Sequence, residues 1–166
     1  MLQKQFGKKL LAHLYDANPN LIIYTHQSVA SILPGLLPVH IVETGDVINA
    51  ESFELEFFGN KHAIIHNLIP QINNLGLMIN NNVYYPGDSF TNPERPVKTL
   101  LLPVSAPWMK VSESIDFLNS LNPSIAIPTH DAILSDAGKQ IVDGVISKSI
   151  RTNTKKYQRI TSPLVI

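Results

Sequence analysis

Cysteine is absent from the 166-residue chain. That excludes disulfides, thiolate metal sites and a cysteine nucleophile, so any metal ion must be held by His, Asp or Glu. An excess of one charge is also missing. Thirteen Lys and Arg balance thirteen Asp and Glu, which removes the general electrostatic argument for a nucleic-acid or membrane-surface partner. RTNTKKYQR (151–159) is the single concentrated basic stretch, and no nucleic-acid role is expected of it. No apolar run reaches the ~18 residues of a membrane-spanning helix. The N-terminal MLQKQFGKKLLAHLYD carries charge throughout, unlike a signal peptide. A cytoplasmic location is therefore the expectation. What remains is an ordinary globular composition, 44% hydrophobic and 16% charged, and a length that fits one domain over 1–166 with a sizeable core.

Hydrophobic periodicity divides the chain into short elements. Phe6, Leu10, Leu11 and Leu14 recur at helical spacing and predict a helix over 3–16, stopped by Asn18-Pro19-Asn20. LIIYT (21–25) and VHIVE (39–43) read as strands, on either side of a short helix QSVASIL (27–33) ended by Pro34 and Gly35. Gly45-Asp46 marks a turn. SFELEFFG (52–59) alternates, with Phe53, Leu55 and Phe57 on one face. AIIHN (63–67) and LGLMI (75–79) read as further strands, and Asn80-Asn81-Asn82 turns the chain into VYY (83–85). KTLLLPV (98–104) is a continuous apolar run, as in a strand covered on both faces. A helix over 112–121 capped by Ser112, a strand over 124–129, a helix over 134–150 with Ile141, Val145 and Ile146 on one side, and a strand over 157–163 complete the pattern. A meander followed by strand–helix–strand–helix is a layered α/β domain.

Three polar clusters fall at predicted strand ends: His62, the Gly87-Asp88 turn, and Pro128-Thr129-His130-Asp131. Strand ends feeding loops are where α/β folds place chemistry. Each cluster also has a plain structural reading. Gly-Asp after a strand makes a turn, and a strand-end histidine is commonly just hydrogen-bonded. GDSF (87–90) further resembles the nucleophile block of the SGNH serine hydrolases. Those enzymes need an Asp-x-x-His late in the chain, and Asp116, Asp131, Asp136 and Asp143 all lack the histidine. A serine without an oriented base is a weak nucleophile.

The ordered set GNKHAIIHNLIP, NNLGLMI, VYYPGDSF, LLLPVSAPW and PTHD resembles the metallo-β-lactamase superfamily, most closely its UlaG-like branch of metal-dependent hydrolases, over residues 7–148. The resemblance implies that His62, three residues after Gly59, binds a first metal. It implies that Asp88 bridges two metals as the catalytic centre, and that His130 binds the second. His66 competes for the role of His62. His66, Ser89, Trp108 and Asp131 would line or support the site. Zn²⁺, Mn²⁺ or Fe²⁺ suits such ligands, and the implied activity is hydrolysis by a metal-activated water of a small-molecule phosphodiester, lactone or amide.

The same resemblance defines an absence. The superfamily's His-x-His-x-Asp-His signature, which supplies two ligands to each metal, is not in the sequence; His13, His26 and His40 stand singly. The family places that signature just before the helix matched by 3–16, so the chain is expected to start after it. The expected fold is a partial αββα sandwich without its N-terminal strands. The metal is then expected to be weakly bound or absent, and hydrolysis impaired or lost. The alternative is a non-catalytic oligomeric or binding module with relic ligands. An uncovered sheet face, presenting Phe53, Leu55 and Phe57 or the Leu100–Leu102 run, would be hidden most simply in a homodimer or higher oligomer.

Overall fold

The computed structural model describes residues 2–33, 35, 37–151 and 156–162, with side chains from residue 9 onward. The Phe6 side chain, Pro34, Pro163 and residues 152–155 of the basic stretch lie outside the described residues. The chain divides into two compact units, Met1–Glu43 and Thr44–Ile166. No helix among the described residues is long and apolar enough to cross a membrane.

In the first unit, helix α1 (Leu2–Ala17) ends where Asn18, Pro19 and Asn20 follow. Strand β1 (Ile23–Thr25) pairs in parallel with β2 (Val39–Ile41), placing Ile23 opposite Val39. Between them lies the single-turn helix α2 (Gln27–Ala30). His26 caps it, its Nδ1 accepting from the Ser28 amide at 3.1 Å, so this histidine serves the backbone. Helix α2 stops three residues before the expected end, with Ser31 as its C-cap.

The second unit is a seven-stranded sheet in the order β3-β4-β5-β6-β7-β8-β9. Strands β3 (Val47–Ala50), β4 (Phe53–Phe58), β5 (Gly76–Ile79) and β6 (Val83–Tyr85) form an antiparallel meander. Strands β7 (Thr99–Pro103), β8 (Ile125–Thr129) and β9 (Lys156–Tyr157) then add in parallel. Helices α3 (Val111–Leu121) and α4 (Asp136–Ser149) are the crossovers from β7 to β8 and from β8 to β9. Met78, Tyr84, Leu100, Leu102 and Ala126 meet Phe117, Leu118 and Ile146 in one buried cluster between sheet and helices. This is a mixed α/β fold, as the periodicity predicts.

Several expectations need correction. AIIHN (63–67) is not a strand. Its backbone groups bond across a loop, Ala63 N–H to the Asp88 carbonyl and Ile69 N–H to the His66 carbonyl, and so find no strand neighbour. The last strand is two residues long, because Arg159 is drawn to Asp131 and Asp143. Strand β3 was not expected. Helix α3 is capped by Lys110, whose amide donates to Glu113 Oε2 at 2.5 Å, and Ser112 lies inside the helix. Helix α4 buries Ile146 beside Val142 and leaves Ile141 and Val145 exposed. Of the residues expected to face water, Phe53 is exposed, but Phe57, Leu100 and Leu102 are buried. The two leucines lie in the core cluster with Phe117, Leu118 and Ile146.

Candidate metal centre

Sheet register brings the polar clusters to one end. Phe58, closing β4, stands opposite Gly76, which opens β5, and Leu77 stands opposite Tyr85, which closes β6. The parallel pairing of β6, β7 and β8 then puts the C-terminal end of β8 at the same end. Residues 59–62, 86–89 and 130–131 follow directly from those ends.

Each exit is made by a residue with a left-handed backbone. Gly87 has φ of 70°, and a Cβ there would stand 2.2 Å from Asn74 Oδ1. The close approach is used: Asn74 Oδ1 accepts the Asp88 amide at 2.8 Å, and its Nδ2 donates to the Pro86 carbonyl at 2.8 Å and to Ser89 Oγ at 3.2 Å. Asn74, from the Asn-x-Gly stretch, thus fixes the turn that carries Asp88. Gly59, with φ of 73°, opens the loop to His62. That loop is tied to the Asp88 turn by the bond from Ala63 N–H to the Asp88 carbonyl, 2.8 Å. His130 itself has φ of 58°, a conformation that costs energy for a side chain other than glycine and clusters at functional sites.

The three expected ligands converge. His130 Nε2 lies 2.9 Å from Asp88 Oδ1, and His62 Nε2 lies 3.7 Å from Asp88 Oδ2. Both rings are turned by the same device. His62 Nδ1 is 2.6 Å from the Ala63 carbonyl, and His130 Nδ1 is 2.7 Å from the Ser105 carbonyl. A carbonyl only accepts, so each Nδ1 carries the proton. Each Nε2 then faces a carboxylate oxygen. Asp88 Oδ1 is buried, and the polar atom that faces it is His130 Nε2. A backbone carbonyl holding the far nitrogen is the usual orienting contact of a metal-ligating histidine, and His₂Asp donors suit borderline divalent ions. The donor types therefore suit a cation, although the set is incomplete: among the described residues no group of three or more His, Asp or Glu is placed to hold a metal ion.

The competing residues separate cleanly. His66 Nδ1 accepts from the Leu68 amide at 3.2 Å and builds a turn. Ser89 is buried, its Oγ placed among Asn74 Nδ2, the Pro86 carbonyl and Thr91 Oγ1. Its hydroxyl is committed to the turn, with no histidine hydrogen bond to it among the described residues. Trp108 packs edge-on against Phe90 at 5.0 Å and His62 at 6.1 Å, walling the site, and its indole N–H is buried without a partner. Asp131 turns to Arg159. Sequence reasoning missed Ser105, which acts through its carbonyl and leaves no side-chain signal. It also missed the cluster of Arg159 with Asp143 and Tyr157, assembled from helix and strand positions that periodicity does not connect.

A family model described as a β-lactamase superfamily domain matches residues 6–130. Protein Rv0786c of Mycobacterium tuberculosis is 30% identical over 148 residues, spanning 86% of this chain and 69% of that protein. Among solved structures, Igni18, a metallo hydrolase from the archaeon Ignicoccus hospitalis, superposes with a TM-score of 0.63 at 12% identity, covering 90% of this chain and 69% of its own. The metallo-β-lactamase fold protein YhfI from Bacillus subtilis superposes with a TM-score of 0.65 at 13% identity, covering 96% and 68%. At such identities the structural likeness is one of fold.

Proposed function

This chain belongs to the β-lactamase superfamily, in its metallo-β-lactamase fold, and from that premise we propose that it is a metal-dependent hydrolase whose own ligands are His62, Asp88 and His130. The observation that carries the reading is the convergence of two oriented imidazoles on one carboxylate, His130 Nε2 at 2.9 Å from Asp88 Oδ1 and His62 Nε2 at 3.7 Å from Asp88 Oδ2. A divalent cation bound there, Zn²⁺, Mn²⁺ or Fe²⁺, supplies the Lewis acidity that makes water a nucleophile at neutral pH. The chain's residues do the rest. His62 and His130 present oriented Nε2 lone pairs. Asp88 offers one oxygen to each and is the residue positioned to serve both sides, which is why we assign it the catalytic role. Trp108 packs edge-on against His62 and Phe90 on one side of the centre. The ordered Gly-x-x-His, Asn-x-Gly and Pro-Gly-Asp-Ser stretches support the UlaG-like branch.

Two histidines and one shared carboxylate give each of two cations two donors, below the four of a tightly held zinc. Weak metal binding and slow hydrolysis by this chain alone are therefore part of the proposal. The same shortfall favours the second reading, a binding module that keeps relic ligands. Hydrolysis of bis(p-nitrophenyl) phosphate and of a γ-lactone with added Zn²⁺ or Mn²⁺ separates them. Metal-dependent turnover lost in Asp88→Ala supports the hydrolase. Turnover equal in wild type and Asp88→Ala, or none at saturating metal, supports the relic.

A further inference from the structure

Beside the candidate metal centre the chain does something costly. Ile64, Leu68 and Ile72 are more than half exposed, and Ile65 and Ile69 nearly so, all within one loop of nine residues. Scattered exposed apolar residues need no explanation, but a contiguous patch next to a polar centre marks a binding surface. The loop is fixed rather than slack. His62 N–H bonds to the Ile72 carbonyl, Gln71 Nε2 to the His62 carbonyl at 2.7 Å, and Leu68 N–H to His66 Nδ1. Folded back this way, it encloses a pocket of about 100 Å³ lined by Ile64, Ile65, Ile69, Pro70 and Ile72 together with His62.

His62 is the joint between the two features. His62 is among the residues that line the pocket, and its Nε2 faces Asp88 at 3.7 Å. A molecule held at the polar centre therefore has an aliphatic recess within its reach. We propose that the substrate carries a short aliphatic group next to its hydrolysable bond, and that the 64–72 loop is the subsite for that group. This rests on the hydrolase reading above. The recess sets the size: an apolar cavity of ~150 Å³ takes a benzene ring, so this one suits a straight or branched group of about four carbons. The occupant is substrate and not a partner protein, because the recess is small, concave and shares a wall with the polar centre.

The test is a homologous series from acetohydroxamate to octanohydroxamate, titrated in the presence of Zn²⁺. Trp108, the one tryptophan of the chain, lies 6.1 Å from the His62 ring and reports binding by its fluorescence. Affinity is expected to rise roughly fourfold per methylene until the recess is full, at about four carbons, and then level off. Ile64→Asn and Ile72→Asn, both at exposed positions, flatten that rise and leave acetohydroxamate binding unchanged. Affinity independent of tail length, a rise unaltered by both substitutions, or no binding of any member overturns the subsite. If acetohydroxamate binds and the series is flat, the metal reading stands without the subsite. If acetohydroxamate does not bind with Zn²⁺ while longer members still gain per methylene, the subsite stands and the metal reading falls. A flat series together with a dimer that Ile64→Asn dissociates would identify a second copy as the occupant, and also overturns the proposal.

Discussion

His130 Nε2 stands 2.9 Å from Asp88 Oδ1 while Nδ1 of the same ring donates to the Ser105 carbonyl. One nitrogen is occupied by the backbone, so the other can serve only what lies between it and the carboxylate. Purified without added metal and dialysed against a chelator, the chain is expected to hold well below one equivalent of zinc. On reloading, His62→Ala and His130→Ala should each weaken uptake at least about tenfold, the scale on which even supporting residues act. Asp88→Ala should weaken it more, since Asp88 faces both histidines. Equilibrium dialysis with elemental analysis measures this. Stoichiometric zinc in the dialysed wild type would show that other donors complete the site.

The Gly87–Asn74 contact predicts a coupled pair. Gly87→Ala places a Cβ 2.2 Å from Asn74 Oδ1 in a left-handed backbone, and should destabilise by about 2–3 kcal/mol. Asn74→Ala leaves the Asp88 amide without its acceptor and the Pro86 carbonyl with Ser89 Oγ alone, at about 1–3 kcal/mol. Removing Asn74 also removes the clash, so the double variant should lose less than the sum. Urea unfolding of all four proteins closes the cycle. Full additivity would mean that the two residues do not meet.

Ser89 is predicted to be structural. Ser89→Ala should keep any metal-dependent hydrolysis within a few-fold and cost about 1 kcal/mol of stability through its lost hydrogen bonds. A serine-directed fluorophosphonate should leave the protein unlabelled. Covalent labelling at Ser89 would revive the serine-hydrolase reading.

The strands and crossover helices of the second unit were legible because their signals are local. TLLLP is apolar on both faces, and VYY ends at a proline and a glycine. The convergence on Asp88 was not local. His62 and His130 stand 26 (88−62) and 42 (130−88) positions away, and only family resemblance joined them before the fold did. AIIHN misled for a physical reason. Its β-branched run has strand propensity, but propensity reports the fit to a half-buried pleated surface, and Ile64 and Ile65 have no such surface. In helix α4 the apolar residues Ile141 and Val145 obscured which face is inward, because Val142 and Ile146 share the true i, i+4 stripe.

Alkaline pH should unfold the protein through its tyrosines. Tyr84 is fully buried, its hydroxyl donating to the Thr91 carbonyl at 2.8 Å, and burial raises its pKa. Burial, followed by its hydrogen bond to Asp143, raises that of Tyr157. In the unfolded chain both titrate near ~10. Between that value and the higher folded values, the native state binds more protons than the unfolded state. Stability is therefore intact below about pH 10 and falls as pH rises beyond it. Urea midpoints from pH 8 to pH 11 should show that decline, with a shallower slope in Tyr84→Phe and Tyr157→Phe. A flat profile to pH 11 would contradict the burial of both hydroxyls.

Assembly is the remaining prediction. Among the described residues, strand β3 ends the sheet order and pairs on one side only, with β4. Near this edge Val47 and Phe53 are exposed. An unpaired strand flanked by large apolar side chains is a template for another chain, and each such side chain left in water forgoes roughly 1.5–3 kcal/mol. Antiparallel pairing of β3 with its symmetry copy would bury both residues on each subunit, since a two-fold axis presents the same patch twice. We therefore expect a homodimer by light scattering at low micromolar concentration. Val47→Lys with Phe53→Lys should shift it to monomer, because like charges meet across the axis, while the circular dichroism stays unchanged. A well-folded wild-type monomer would show that the exposed edge is stable without a partner.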